Sequence, residues 1–455
     1  MRNFLTFLLR DTGESMYSRK VREQLWKRNI DIGDRVSIEF GGAEREGILL
    51  ENYSENTDII ELKLDNGYNL GVVFNDTLKL IKKKGALKEK RHGAGKTEDN
   101  KEYDIAVLMF GGTVSSRVEY STGAVFPAAT PEEFRESFPE MNTFGGARFK
   151  NVMSILSEDM NTRHWKIIGE EVFKELKKGK AVVVTHGTDT LGYSAAAVSF
   201  MIRNPQRPVV LTGAQRSSDR GSSDAKENVL NAAFYASTGR PGVYVAMHAT
   251  TSDGAAHIHL GTRVRKMHTS RRDAFRSINA TPVAEVDYSK KKIEYIGECT
   301  NVPAGGDMEL INKFSENVAL VYIHPGIKPS FISKLSDYEG VVLAATGLGH
   351  VPSNPFGDAL ATPIIKEIGE LTKSGIYVVI APQTIYGRLN LNVYTAGRML
   401  KETGVIGHNC DWLPETAFVK LSWVLGQTKE RKKVIEMMYT DYAGELRGRS
   451  AVTNF

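Results

Sequence analysis

Two patterns of hydrophobic and polar positions divide the 455-residue chain. Between Ile30 and Ile81, apolar residues alternate with polar ones in short runs, which is the pattern of strands with one buried face. Asn66-Gly67 lies between two of these runs and is a strong hairpin signal. About five short strands of this kind predict a small SH3-like or OB-like β-barrel. From Tyr103 onward, continuous apolar runs alternate with helix-like segments, which predicts an α/β region.

The continuous apolar runs predict a doubly wound parallel sheet, because the strands of such a sheet are buried on both faces. Its strands are expected to end near Phe110, Thr185, Thr212 and His248. A second, smaller α/β unit is predicted from about Val318, with strands at 318–323, 340–345 and 376–380.

These patterns predict a chain of several domains. The predicted segments are an N-terminal extension at 1–29, a small SH3-like barrel at 30–82, a basic linker at 83–102, a catalytic α/β domain at 103–300, a hinge at 301–316 and a smaller α/β domain at 317–455. The basic run Lys79–Lys96 carries eight basic residues against one acidic residue. It is interpreted as a solvated tether, with an RNA-contacting arm as the alternative. The barrel is either an inert or oligomerising appendage, or a docking module for a partner protein or RNA.

Composition narrows the class of protein. The chain is 41% hydrophobic and 25% charged, as is usual for a globular protein, and no apolar run approaches the roughly 20 residues of a membrane helix. A net charge of +5 is too small over this length to indicate nucleic-acid binding by itself. Met1–Arg10 has a short apolar core and no small-residue cleavage site, so it is not interpreted as a signal peptide. With two cysteines, the expected location is the reducing cytoplasm.

Polar residues that can carry out hydrolysis lie in three separate predicted loops. Thr113 follows two glycines after the first strand, and Thr188 and Asp189 follow the run Ala181–Val184. Lys266 lies in a cationic loop, where neighbouring charges can lower the pKa of a lysine enough for it to act as a base. Thr188 and Asp189 are also ordinary helix-capping residues, and that alternative remains open for this segment taken alone. Together the residues predict a hydrolytic site at strand ends.

Four sequence blocks occur in the order F-G-G-T-V-S-S, T-H-G-T-D-T, T-G-A-Q-R-S-S-D and R-K-M-H-T-S. They resemble the signature blocks of the bacterial-type L-asparaginases, and the resemblance covers roughly Tyr103 to the C-terminus. The block Ser157–Asn161 resembles the substrate-binding block of that family. The resemblance implies an α/β, two-domain L-asparaginase-like fold, here preceded by the small N-terminal β-barrel. It also implies covalent hydrolysis of an amide.

By this resemblance, Thr113 is the nucleophile and Tyr120 its neighbour on a flexible loop. Lys266 is the base, Asp189 orients that lysine and meets the ammonium group of the substrate, and Thr188 activates or positions water. The segment between Thr113 and Tyr120 is shorter than in exported asparaginases.

Ser157 and Glu158 are implied to hold the α-carboxylate and amino group of the substrate. Many family members have glutamine where this chain has Glu158, so the preference between asparagine and glutamine is left open. His186 is interpreted as an orienting or packing residue. His257 and His259 have no carboxylate or cysteine at metal-ligand spacing, and no metal site is predicted from the sequence.

The barrel, the tether and two C-terminal blocks, Ala381–Arg398 and Gly407–Gly426, resemble a narrower family. It consists of the D subunits of archaeal glutamyl-tRNA(Gln) amidotransferases. The resemblance implies that the chain hydrolyses glutamine and passes ammonia to an E subunit, which converts glutamyl-tRNA(Gln) into glutaminyl-tRNA(Gln). It further implies a homodimer within a heterotetramer that contacts tRNA mainly through the partner.

No cofactor is expected in this chain, and ATP and Mg²⁺ are expected on the partner subunit. Gly93–Thr97 resembles the end of a phosphate-binding loop, but it lacks the first glycine and a preceding strand. The alternative function is that of a free-standing cytoplasmic L-asparaginase. A scaffold without activity is disfavoured, because every catalytic residue type is present.

Overall fold

A computed structural model describes residues 17–40, 43–50, 58–64, 69–75, 78–83, 103–112, 116–118, 125–127, 138–216, 223–297 and 306–450. The chain divides into two compact units. The first comprises residues 1–101, 116–128 and 216–223, and the second comprises 102–115, 129–215 and 224–455. Within the described ranges, no helix is both long enough and apolar enough to cross a membrane.

The N-terminal module is a five-stranded antiparallel sheet, as the alternating pattern predicts. Its strands are β1 (Arg35–Phe40), β2 (Ala43–Leu49), β3 (Ile59–Leu64), β4 (Asn69–Val73) and β5 (Leu80–Lys82), in the order β4-β3-β2-β1-β5. Alternate residues such as Val36, Ile38, Ile60 and Leu62 are buried in one core. The predicted hairpin turn at Asn66-Gly67 lies outside the described residues.

A helix that the hydrophobic pattern does not reveal belongs to the same core. Helix α1 (Arg19–Lys27) begins after Ser18, whose side chain accepts a hydrogen bond from the Val21 amide. Val21 and Leu25 pack with the strands, and the Tyr17 hydroxyl donates to the carbonyl of Leu50 at 2.6 Å. With only two buried apolar residues in nine, the helix has too short an apolar face to stand out in the sequence.

A sheet of eight strands forms the centre of the second unit. Its order is β18-β17-β14-β13-β12-β10-β6-β9. Its strands are β6 (Ile105–Met109), β9 (Ala147–Asn151), β10 (Ala181–Thr185), β12 (Pro208–Thr212), β13 (Gly242–His248), β14 (Ala256–Leu260), β17 (Ala284–Asp287) and β18 (Lys292–Tyr295). The five strands from β13 to β9 are parallel. The ends of β6, β10, β12 and β13 agree with the four predicted ends, whereas the sequence pattern did not predict β9.

The sheet departs from the predicted wholly parallel arrangement at one edge. There β14, β17 and β18 are antiparallel to their neighbours. Antiparallel strands need only short turns, whereas a parallel crossover needs a dozen or more residues. The chain after His248 returns directly as β14, so no helix separates these strands.

Helices cover both faces of this sheet. Helices α2 (Thr162–Lys177) and α3 (Leu191–Met201) pack on one face, and α4 (Ala225–Thr238) packs on the other. Short 3₁₀ helices occur at Pro139–Phe144 and Ser157–Asp159. The remaining small strands are β7 (Ser116–Val118), β8 (Val125–Pro127), β11 (Ile202–Arg203), β15 (Val264–Lys266), β16 (Phe275–Ser277) and β19 (Glu309–Leu310).

The smaller α/β domain has three parallel strands, as predicted. They are β20 (Val318–Tyr322), β21 (Gly340–Ala345) and β22 (Tyr377–Pro382), in sequence order. Its helices are α5 (Pro329–Ser333), α6 (Ile365–Lys373), α7 (Thr395–Glu402), α8 (Pro414–Gln427) and α9 (Arg431–Tyr439). Trp423 of α8 stacks on Phe200 of α3 with ring centroids 5.7 Å apart. The two α/β domains therefore share one hydrophobic core.

A fully buried arginine also joins the two α/β domains. Arg263, just before β15, donates through Nε to the Gly444 carbonyl at 2.7 Å. Its Nη1 donates to the Asp411 carbonyl at 2.9 Å, and its Nη2 lies 3.2 Å from Asp411 Oδ1. A buried charge is tolerated only where its hydrogen bonds are satisfied, so this contact fixes the position of β15.

We expect Arg263→Met to lower the free energy of unfolding by about 3–5 kcal/mol, because it leaves Asp411 buried without its main cation. The matched control is Arg276→Met on β16, because its side chain is 40% exposed and its partner Asp273 keeps a second ion pair with Arg271. This control should cost about 1 kcal/mol or less. Chemical denaturation of the two variants checks the prediction, and equal losses would contradict it.

Candidate active site

The candidate site lies where the parallel strands β6, β10 and β12 end. Loops at the carboxyl ends of neighbouring strands meet at one edge of the sheet, which is where α/β folds bind ligands. Here these loops contain Gly111-Gly112, His186–Asp189 and Gly213. Thr113 and Tyr120, the predicted nucleophile and its neighbour, lie outside the described residues.

Glycines bring three backbone segments into direct contact at this edge. Gly112 has a φ of +83°, and a Cβ atom on it would lie 2.4 Å from the amide nitrogen of Gly187. A Cβ atom on Gly187 would in turn lie 2.7 Å from Cβ of Ser157. No larger residue fits at either position without a shift of the backbone. Through these two contacts, Ser157 and Gly112 both lie against the backbone that leads into Thr188.

Lys266 of β15 reaches the loop after β10. Its Nζ donates to Thr188 Oγ1 at 2.9 Å and to Asp189 Oδ1 at 2.8 Å. The lysine side chain is only 14% exposed, whereas the Asp189 side chain is 63% exposed. Three residues predicted from two separate blocks of sequence therefore form one hydrogen-bonded group.

Helix capping does not explain Thr188 and Asp189. Helix α3 begins at Leu191, and its N-cap is Thr190. The Thr190 hydroxyl donates to the carbonyl of Ser157 at 2.6 Å, so it ties the loop after β10 to the predicted substrate-binding block. The side chains of Thr188 and Asp189 point instead to Lys266.

Ser157 and Glu158 occupy the 3₁₀ helix Ser157–Asp159. Ser157 is buried and Glu158 is exposed, and their side-chain oxygens, Oγ and Oε2, lie 3.5 Å apart. This arrangement gives a hydroxyl and a carboxylate at the same edge as Lys266. The polarity suits a substrate that carries both an ammonium and a carboxylate group.

His186 is fully buried at the start of the loop after β10. Its Nδ1 lies 2.6 Å from the carbonyl oxygen of Gly187, which can only accept, so Nδ1 carries the proton. Burial lowers the pKa of His186 to about 4, and the hydrogen bond to Gly187 offsets only part of this effect. The ring is therefore neutral near pH 7 and fixes the peptide that precedes Thr188.

A cleft of about 390 Å³ opens beside Lys266 and contains residues that the sequence does not single out. Tyr193, Arg265 and Glu415 line it, and Arg265 Nη1 lies 3.2 Å from Glu415 Oε1. Burial raises the pKa of Tyr193 well above its usual range, and the Glu415 carboxylate adds to this effect. Arg265 lies within one of the catalytic blocks, and Tyr193 follows another by three residues. Glu415, at the start of α8, lies in the C-terminal block Gly407–Gly426, which carries no signal for this site.

His257 and His259 lie on β14. Among the described residues, neither belongs to a group of three side chains that could hold a metal ion. His257 Nε2 lies 3.5 Å from Glu285 Oε2, and His259 Nδ1 lies 2.8 Å from the hydroxyl of Ser277. Burial lowers the pKa of both histidines.

Comparison with protein families assigns three regions of the chain. Residues 104–300 match the N-terminal domain of asparaginases, and residues 317–438 match the glutaminase/asparaginase C-terminal domain. Residues 30–81 match the GatD N-terminal domain.

The chain is also similar to curated proteins over 94–96% of its length. It is 44% identical to the D subunit of the glutamyl-tRNA(Gln) amidotransferase of Pyrococcus furiosus, over 94% of this chain and 97% of that protein. Identity to the corresponding protein of Sulfolobus acidocaldarius is 42%, over 94% and 95% of the two chains. For Methanothermobacter thermautotrophicus it is 41%, over 96% and 99%.

Among solved structures, the thermostable L-asparaginase from Thermococcus kodakarensis is similar, with 30% sequence identity and a TM-score of 0.68. The similarity covers 99% of that asparaginase but 76% of this chain. The α/β domains therefore have the asparaginase fold, and the N-terminal module is of the type found in the amidotransferase subunits. The chain belongs to the asparaginase family and, within it, to the D subunits of glutamyl-tRNA(Gln) amidotransferase.

Proposed function

We propose that this chain hydrolyses glutamine and supplies the ammonia with which a partner subunit converts glutamyl-tRNA(Gln) into glutaminyl-tRNA(Gln). The observation that carries the proposal is the hydrogen-bonded group of Lys266, Thr188 and Asp189, in a chain whose relatives are subunits of that enzyme. A free-standing asparaginase is not favoured. Similarity to the asparaginase of Thermococcus kodakarensis covers 76% of this chain, whereas similarity to the amidotransferase subunits covers 94–96% of it.

In the proposed first step, the hydroxyl of Thr113 attacks the side-chain carbonyl carbon of glutamine. The carbon–nitrogen bond then breaks, ammonia leaves with the proton of the hydroxyl, and an ester between Thr113 and the substrate remains. Gly112, the residue before Thr113, supports this role because it contacts Gly187 and so lies against the loop that contains Thr188. Hydrolysis of the ester by water returns the threonine and releases glutamate.

Lys266 is the proposed base. In its neutral form it accepts a proton from the hydroxyl of Thr188 or from a water held there, across the 2.9 Å contact. Asp189 then stabilises the ammonium that forms, because its Oδ1 already lies 2.8 Å from Nζ. Thr188 is buried, so its hydroxyl is held in place for this transfer.

Ser157, Glu158 and Asp189 are the proposed substrate-binding residues. Two carboxylates, both exposed, are available for the ammonium group of an amino acid, and the Ser157 hydroxyl is available for its carboxylate. Tyr120 is proposed to act with Thr113 on the same loop.

The N-terminal module is proposed to dock on the partner subunit or on its tRNA. ATP and Mg²⁺ are proposed to bind to the partner, where glutamate on the tRNA is activated. The proposed assembly is a homodimer of this chain within a heterotetramer, and the proposed location is the cytoplasm.

We expect Lys266→Met to reduce ammonia release from glutamine by about 10²–10⁴-fold, the usual contribution of a general base. Lys266→Arg should be as inactive, because a guanidinium keeps the charge but does not release its proton near neutral pH. The matched control is Lys292→Met, which removes an exposed lysine from β18. Activity of Lys266→Arg within about threefold of wild type would show that the charge, and not proton transfer, is what matters.

A second prediction concerns the close backbone contact. Gly187→Ala should lower activity strongly and cost about 1–3 kcal/mol of stability, because the added Cβ overlaps Ser157. Gly448→Ala is the control, since a Cβ there meets nothing within 4 Å among the described residues. Steady-state kinetics and thermal unfolding of both variants check this prediction, and a fully active Gly187→Ala would refute it.

The third prediction separates the module from the chemistry. Removal of residues 1–102 should leave the α/β unit folded, because the described residues of this unit form their own cores. Assembly with the partner and formation of glutaminyl-tRNA(Gln) should fall, measured by gel filtration and by analysis of the amino acid on the tRNA. An unchanged complex with unchanged product formation would argue against a docking role.

A further inference from the structure

We propose a divalent transition-metal site formed by His248, Glu227 and Asp253. His248 is the last residue of β13, Glu227 lies in the first turn of α4, and Asp253 lies between β13 and β14. One ligand atom from each residue lies within 4.8 Å of the others. Among the described residues, this is the one group of three such side chains that converges. The site takes no part in the proposed amide hydrolysis.

The hydrogen bonds of Asn228 determine which nitrogen of His248 carries the proton. Asn228 Nδ2 donates to the carbonyl of Gly213 and to Asp224 Oδ2, each at 2.9 Å. The Asn228 Oδ1 atom therefore faces His248, and it accepts from Nδ1 at 2.6 Å. Since Nδ1 is the donor, Nε2 of the neutral ring presents a lone pair. A histidine that donates its other nitrogen to an oxygen is the usual arrangement of a metal ligand.

The lone pair of Nε2 is buried and faces a second acceptor. His248 is 1% exposed, and Nε2 has no hydrogen bond of good geometry within the described part of the chain. Glu227 Oε2 lies 3.1 Å away and is held by the amide of Gly254 at 2.8 Å. Two acceptors this close repel each other unless a proton or a cation lies between them.

Asp253 supplies the third ligand from the surface. Its side chain is 73% exposed and pairs with Arg272, which also donates to the carbonyl of Thr251. Because the Asp253 carboxylate is at the surface, this pair contributes little to stability, and the carboxylate can rotate towards a bound ion. The Arg272 guanidinium keeps its contact with the backbone when that happens.

The donor set indicates the class of metal. One imidazole and two carboxylates suit Zn²⁺ or Mn²⁺, with water in the remaining positions. Calcium is disfavoured because it takes six to eight oxygen ligands. The competing occupant is a proton, which would make His248 an imidazolium paired with Glu227.

The test uses the full-length chain, stripped of metal and dialysed against Zn²⁺ or Mn²⁺. Wild type should bind one equivalent, and Glu227→Gln and Asp253→Asn should each raise the dissociation constant at least about tenfold. Glu285→Gln is the matched control, because it changes a carboxylate 3.5 Å from His257 without a third ligand in the described residues. It should bind metal as wild type does.

Thermal unfolding of each variant without metal verifies that it is folded. Asp253→Asn changes only an exposed side chain, so it keeps the test valid even where Glu227→Gln is poorly folded. Absence of binding by wild type would overturn the proposal and favour the imidazolium pair. Equal binding by wild type and a folded Asp253→Asn would overturn it as well.

Discussion

The candidate site depends on the contact between Gly112 and Gly187, two glycines at the ends of neighbouring strands. Because neither has a Cβ atom, their backbones approach far more closely than any other residues would allow. Ser157 packs against the same Gly187, so three loops that are distant in sequence share one small volume. The buried, neutral His186 fixes the peptide of Gly187 through its hydrogen bond to the Gly187 carbonyl. The chemistry therefore rests on a rigid backbone arrangement.

The smaller α/β domain contributes to the site by fixing the lysine. Arg263 anchors β15 to Asp411 and Gly444, and Lys266 extends from the end of this strand to Thr188. Glu415, at the start of α8, reaches the cleft beside the lysine and pairs with Arg265. A change in how the two α/β domains pack is thus expected to alter the position of the lysine directly. The smaller domain is in this sense a structural part of the site.

Local sequence signals predicted the parts of the fold that depend on them. The parallel strands, the three strands of the smaller domain and the group of Thr188, Asp189 and Lys266 follow from apolar runs and from short blocks of sequence. Helix α1 was missed because its apolar face is short, and the antiparallel edge because β14 resembles any other buried strand. Glu415 and the cluster around His248 arise from tertiary packing, which no spacing in the sequence reports. Thr113 and Tyr120 remain predictions.

The most direct test of the account is the rate of ammonia release by the full-length chain from glutamine and from asparagine. It is measured with the chain alone and then with the partner subunit, ATP, Mg²⁺ and glutamyl-tRNA(Gln). The account predicts slow release from glutamine by the chain alone and a steep increase in the complete mixture, with matching formation of glutaminyl-tRNA(Gln). Rapid hydrolysis of asparagine that is indifferent to the partner and the tRNA would contradict it.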